Sequence, residues 1–175
     1  MTLAPATASA GRLRRAGPED AAALTRLALI SKAAWGYDTA FMAACRAELT
    51  VRRASVVRDP TYLVEAERRV LGFYQLGLDG AMAEVRMIFV APEALRSGLG
   101  RRLWAHLEET ARAAGVTRLE VDSDPHAEAF YRAMGMRRVG EAPSGSIPGR
   151  MLPRLAKALA PRGQETRRGM SSSGS

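Results

Sequence analysis

Residues 83–104 read AEVRMIFVAPEALRSGLGRRLW, and the fold follows from how this run is parsed. Its first half is apolar and strand-like. Its second half sets Leu99, Leu103 and Trp104 on one helical face, continued by Leu107 and Ala111, and Gly115 supplies a C-terminal stop. Between the two halves stands a glycine-punctuated turn. Gly98 and Gly100 lack a Cβ, so the backbone of Ser97, Gly98, Leu99, Gly100 and Arg101 can approach a ligand and point N–H groups at it. The positive end of the helix dipole and the guanidinium groups of Arg96, Arg101 and Arg102 converge on the same place. A lone Gly-x-Gly is weak evidence. Set between a strand and a helix, with arginines on both sides, it predicts a pyrophosphate cradle.

Outward from this turn, the chain of 175 residues is most simply one domain, expected over 11–160, with disordered ends at 1–10 and 161–175. Apolar residues at 47% and charged residues at 25% describe an ordinary globular protein. A single cysteine, Cys45, allows no intrachain disulfide, and no apolar run reaches the roughly 20 residues of a membrane span. The N-terminus lacks a charged head followed by an apolar core, so no signal peptide is read and a cytoplasmic location is expected. The net charge of +8 admits nucleic acid, an acidic surface or an anionic cofactor. The arginines are spread along the chain, as solvated surface residues would be, apart from clusters at Arg96/Arg101/Arg102 and Arg137/Arg138. Two histidines and one cysteine, far apart in sequence, make no metal-ligand spacing.

The periodicity gives the remaining elements. A short strand is expected around Leu13, then a helix opened by Gly17-Pro18-Glu19-Asp20 with Leu24, Leu27 and Ala28 on its apolar stripe. A second helix is expected from about Thr39 to Arg53, burying Phe41, Cys45 and Leu49. Between the helices lies a loop with Trp35, Gly36 and Tyr37. Tyr62–Ala66 and Val70–Leu78 read as a hairpin turned at 67–69, and Ala83–Val90 as the next strand. Beyond the helix at Leu99 come a strand over Val116–Val121, a short helix over Pro125–Met134, a strand over Met136–Gly140 and a last one over Met151–Leu155. The class is α/β, or α+β: a mixed sheet with helices on its faces.

The glycine turn and the later segment SDPHAEAFYRAMGMRRV together resemble the GNAT superfamily of N-acetyltransferases, over about residues 12–157. That family's turn reads Arg/Gln-x-x-Gly-x-Gly/Ala. Gly98 and Gly100 match it, whereas Leu95 stands at the Arg/Gln position with Arg96 one place later. In the second segment Asp124 occupies the family's Asn position, followed by Phe130-Tyr131 and Gly135-Met136. The resemblance implies a mixed, mostly antiparallel sheet of six to seven strands flanked by about four helices. It also implies acetyl-CoA as co-substrate, with its pantetheine arm along the strand edge Ile88, Phe89 and Val90, an amide there serving as oxyanion donor. Asp124 and Phe130 are further expected coenzyme contacts.

Acetyl transfer to an amine needs an acid for the departing thiolate and a base for the ammonium. Tyr131 is the candidate acid, since a phenol with a pKa near 10 matches a thiolate; the competing reading is a packing tyrosine, a role assigned first to Phe130. Glu84, at the start of the strand that leads to the cradle, is the candidate base, directly or through water. His126 is its rival, although Asp-Pro-His also reads as an exposed helix start. His106 reads as half-buried packing, and Cys45 as a stripe residue and not an acyl carrier. Trp35 and Tyr37, two exposed aromatics on one loop, and Arg150, suited to a substrate carboxylate, are expected to line the acceptor site.

The function expected is therefore an acetyl-CoA-dependent N-acetyltransferase acting on a small-molecule or peptide amine by direct attack in a ternary complex. Two alternatives stand beside it. One is a non-catalytic acyl-CoA sensor, for which Leu95 leaves room. The other is acetylation of a nucleic-acid-linked amine such as aminoacyl-tRNA, suggested by the +8 charge; no stacking-aromatic motif of an RNA module accompanies it, so nucleic acid ranks last among the partners. No membrane partner is expected, and a homodimer is left open.

Overall fold

The computed structural model describes residues 11–161, so the disorder expected at 1–10 and in the tail from 162 lies outside the described residues. One seven-stranded sheet organises them, in the order β1-β2-β3-β4-β5-β7-β6. The strands are β1 (Arg12–Arg15), β2 (Thr61–Ala66), β3 (Arg69–Asp79), β4 (Met82–Val90), β5 (Arg118–Asp122), β6 (Arg137–Pro143) and β7 (Met151–Ala158). Every neighbouring pair is antiparallel except β4 with β5. The helices are α1 (Ala21–Ala33), α2 (Thr39–Leu49), α3 (Arg53–Arg58), α4 (Leu99–Ala113) and α5 (Glu128–Ala133). This is the expected α+β class, with seven strands and a fifth helix. No helix among the described residues is long and apolar enough to cross a membrane.

The hydrophobic pattern places the core. Leu24, Leu27 and Ala28 of α1 and Leu99, Leu103, Trp104, Leu107 and Ala111 of α4 are buried together with Leu63, Phe73, Leu76 and Leu119 of the sheet. The hairpin between β2 and β3 turns at Glu67 and Arg68, both with positive φ (+50° and +62°), which is the twist a tight β-turn requires.

Some boundaries differ from the sequence reading. The second helix stops at Leu49, not Arg53, and α3 begins a new axis. Thr50 and Val51 are β-branched, Val51 is buried, and its N–H donates to Thr25 Oγ1 at 2.9 Å, so a tertiary contact captures the chain there. The helix expected over Pro125–Met134 divides into a 3-10 turn at Pro125–Ala127 and α5. The last two strands run past Gly140 to Pro143 and past Leu155 to Ala158; Pro143 is tolerated because β6 lies at the sheet edge.

The feature that creates the site is the divergence of β4 from β5. Their ladder covers only Met82–Glu84 against Arg118–Glu120. On its other side β4 stays paired with β3 up to Val90, with an irregularity opposite Gln75 and Leu76 that leaves Arg86 as the extra residue. The upper half of β4 therefore presents one edge without a strand partner, in the middle of the sheet.

Candidate active site

Along this edge the ladder alternation sets which groups face the gap. Ala91 N–H bonds Leu71 C=O at 2.8 Å across β3, so the amide groups of Ile88 and Val90 turn the other way, into the gap. The carbonyl of Val90 is taken by Ser31 Oγ at 2.9 Å, whereas the N–H of Ile88 and of Val90 meets no acceptor among the described residues. Ile88, Phe89 and Val90 thus form a short polar edge of the kind that an amide-bearing chain extends.

At the end of β4 the glycine turn folds as its sequence dictates. Gly98 caps α4 with φ +86°, a backbone state in which an L side chain is strained, and a Cβ built there meets nothing within 4 Å. Arg96 also has positive φ (+60°), a strained state held by the turn. Ser97 Oγ donates to Ala94 C=O at 2.6 Å and accepts from Leu99 N–H at 3.3 Å. The N–H groups of Gly98, Gly100 and Arg101 find no backbone acceptor, the normal state of the first helical turn. Arg96 and Arg101 are exposed and form no ion pair among the described residues. Arg102 does not join them: its guanidinium donates to Gly11 C=O at 2.8 Å, tying α4 to the start of β1. The cradle thus carries two arginines and not three.

Two cavities open along the gap. One cavity, of about 460 Å³, runs from the cradle along Ile88–Val90 and is lined by Leu95, Arg96, Gly98, Gly100, Arg101, Phe130 and His126. A second, of about 400 Å³, adjoins it, against Lys32, Glu48, Glu84, Arg86, Asp124 and Arg150. Trp35, Ile88, Phe89, Ala127 and Tyr131 line both. A Cβ on Gly100 would stand 3.1 Å from Phe130 Cε2, so glycine there keeps the first cavity's wall thin. An unpaired amide edge, a free helical N-terminus and two unpaired guanidiniums together fit a pantetheine arm and its pyrophosphate.

Tyr131 sits at the junction. Its ring is buried, packed edge-on against Trp104 at 5.9 Å and Phe130 at 5.5 Å. The packing role first assigned to Phe130 is therefore shared, and Phe130 is the more exposed of the two. The Tyr131 hydroxyl meets no protein partner among the described residues. Burial, with the Asp124 charge adding to it, pushes the phenol well above its ordinary value, so it keeps its proton.

Asp124, expected against the coenzyme, instead faces the second cavity. Its carboxylate accepts from Tyr37 O–H at 2.9 Å and from His126 N–H at 2.9 Å, and pairs with Lys32 Nζ at 3.2 Å and Arg150 Nη2 at 3.4 Å. Burial pushes this carboxyl up, but His126 N–H, Tyr37 and Lys32 outweigh it and hold it below the ordinary carboxylate range. Arg150 also donates to Tyr37 O–H at 2.8 Å. Trp35 and Tyr37, expected as exposed aromatics, are half-buried. Trp35 stacks on His126 at 5.6 Å and Tyr37 on Phe41 at 3.9 Å. Tyr37 lines neither cavity and acts through Asp124 and Arg150. Glu84 lines the second cavity, exposed and 3.7 Å from Arg86. It stands four positions before Ile88, about 13 Å of strand, so any proton it takes from that point travels through water.

Lys32 and Ser31 were missed by the sequence reading. Lys32 is one of only two lysines in an arginine-rich chain, the one signal that could have drawn attention to it. His106 behaves as read, half-buried with Nδ1 bonded to Tyr74 O–H at 2.8 Å.

Comparison with solved structures finds the same architecture in several acetyltransferases. The PaiA N-acetyltransferase of Thermoplasma acidophilum, in complex with coenzyme A, aligns with TM-score 0.70 at 18% identity, over 84% of this chain and 98% of that one. YncA from Salmonella typhimurium, solved with acetyl-CoA, gives 0.61 at 22% identity, over 86% and 94%. The IAA acetyltransferase of Bacillus cereus gives 0.59 at 24%, over 85% and 99%. At these identities the likeness is one of fold. A sequence-family match extends further: residues 28–136, from α1 through the cradle to the end of the Tyr131 segment, match the acetyltransferase (GNAT) family, and the chain belongs to that family.

Proposed function

We propose that this acetyltransferase moves an acetyl group from acetyl-CoA to a primary amine by direct attack in a ternary complex. The observation that carries the reading is that two cavities with otherwise separate linings share Trp35, Ile88, Phe89, Ala127 and Tyr131. Donor and acceptor occupy separate cavities and meet at these shared residues, so no covalent enzyme intermediate is needed. Cys45, buried on α2, is not required as a carrier.

Each residue then has a task. The N–H groups of Gly98, Gly100 and Arg101, with Arg96 and Arg101, hold the pyrophosphate. The coenzyme supplies the activated acyl group and a thiol leaving group. Ile88 N–H is the donor for the oxygen on which charge develops. The amine loses one proton, which leaves through water toward Glu84, and the sulfur gains one from Tyr131. Trp35, shared by both cavities, closes the junction and excludes water.

The test is a thiol-release assay over a panel of primary amines. Turnover of at least one amine, with saturation by both substrates and no burst in its absence, supports the reading. Thiol release that is independent of every amine overturns it. Glu84→Gln should lower kcat by less than the loss at Tyr131, because its proton travels through solvent.

A further inference from the structure

The cluster at the inner wall of the second cavity has an excess of positive charge. Lys32 and Arg150 share one carboxylate, Asp124, and all three side chains are largely buried, at 12%, 19% and 7% exposed. The Asp124 oxygens are already engaged by Tyr37, His126 N–H and both cations. Arg150 uses only Nη2, toward Tyr37 and Asp124; its Nε and Nη1 hydrogens meet no acceptor among the described residues. The guanidinium is fixed over the rings of Phe41 (4.8 Å) and Tyr37 (5.3 Å), and Lys32 Nζ lies 5.8 Å from both.

The other acids lining the cavity form no ion pair with Lys32 or Arg150 among the described residues, so the excess is local to this cluster. Asp122 is bound by Arg154 through both oxygens, at 2.7 and 3.0 Å. Arg86 is held by Asp59 and lies near Glu84. Glu48 stands beside Gly145 on the opposite loop and forms no ion pair among the described residues. Two largely buried cations that share one carboxylate, with Arg150 Nε–H and Nη1–H and the remaining Lys32 Nζ hydrogens uncommitted among the described residues, suit an anion whose two oxygens are divided between them.

We propose that the acceptor is an amine that also carries a carboxylate, an amino acid or a molecule with such an end, and that Arg150 and Lys32 hold that carboxylate. This rests on the acetyl-transfer reading above and specifies its substrate. Arg150 and Lys32 each give the carboxylate one contact, and Asp124 with Tyr37 keeps both cations aimed. The amine is thereby oriented toward Ile88 and Tyr131, at the junction of the two cavities.

The experiment compares matched amines: free amino acids, their carboxamides and the corresponding decarboxylated amines. The wild-type protein should prefer the carboxylate in kcat/KM by 10-fold or more, chiefly through KM. In Arg150→Gln that preference should collapse toward one, and Arg150→Lys should restore part of it. Retention of the acetyl-CoA thermal shift in both variants shows that the fold and the coenzyme cleft persist. Turnover of amines with no preference for the carboxylate overturns this proposal and leaves the acetyltransferase reading standing. If no amine is turned over, Trp35 fluorescence decides between an N-acetyl amino acid and its amide as probes. Tighter binding of the acid, lost in Arg150→Gln, supports the proposal, and equal or absent binding overturns it.

Discussion

Ser31 Oγ donates to the carbonyl of Val90 at 2.9 Å, a bond that joins the end of α1 to the last residue of the diverging strand. On an edge with no strand partner, it leaves Ile88 N–H and Val90 N–H as the groups open to a ligand. It also anchors the turn that precedes Lys32 and Trp35, so the two cavities share one brace.

Ser31→Ala should lower stability by about 1 kcal/mol, the usual net worth of such a bond. In a domain of this size that is a fall in Tm of roughly 3 °C. An unchanged Tm in calorimetry would show that water replaces the hydroxyl without loss.

Gly98 and Gly100 should respond differently to substitution. Gly98→Ala strains a backbone at φ +86° and should cost about 1 kcal/mol or more, whereas Gly98→Asn, a residue that tolerates this region, should cost less. Gly100→Asp places bulk against Phe130 and a negative charge where the phosphates are held, and should abolish the rise in Tm given by acetyl-CoA. A full thermal shift in Gly100→Asp would remove the cradle assignment.

Tyr131→Phe keeps the ring that packs on Trp104 and removes the proton. Turnover should fall roughly 10- to 1,000-fold, the scale of a lost general acid, with coenzyme affinity within a few-fold. Because burial and Asp124 hold the phenol above its ordinary value, the wild-type enzyme should show no loss of kcat from Tyr131 ionising near pH 10. Wild-type kcat in the variant would leave Tyr131 as a packing residue alone.

Asp124→Asn introduces the residue type that the family pattern carries at this position, but leaves Lys32 and Arg150 without their shared carboxylate. Stability at pH 7 should fall by up to about 3 kcal/mol, the scale of uncompensated buried charge. The Asp124 carboxyl lies below its unfolded value of roughly 4, so its contribution is complete above that pH and is lost as pH falls through the folded value. The Tm difference between wild type and variant should therefore narrow below about pH 4. A difference that stays constant with pH would show that the ionised form contributes nothing.

The backbone parts of the site were legible in the sequence because they follow from local rules. Gly98 and Gly100 between a strand and an amphipathic helix could do little else, and Leu99, Leu103 and Leu107 fixed which helix face is buried. Arg102 was misread because residues 101 and 102 look alike in sequence, yet lie about 100° apart around α4, and one of them meets Gly11. Thr50 and Val51 gave only a weak local signal to end a helix; Thr25, 26 positions away, ends it.

Local periodicity and turn chemistry thus determined by themselves that this chain forms a mixed sheet with a glycine turn opening onto an amphipathic helix, since hydrogen bonding and side-chain alternation act over a few residues. How the charged groups of the second cavity pair was decided only in three dimensions. Lys32, Tyr37, Asp124 and Arg150 come from four segments spread over more than a hundred positions, and each is an ordinary surface residue until the sheet brings them together. Charge pairing and desolvation depend on distance in space, and no spacing along the chain encodes them.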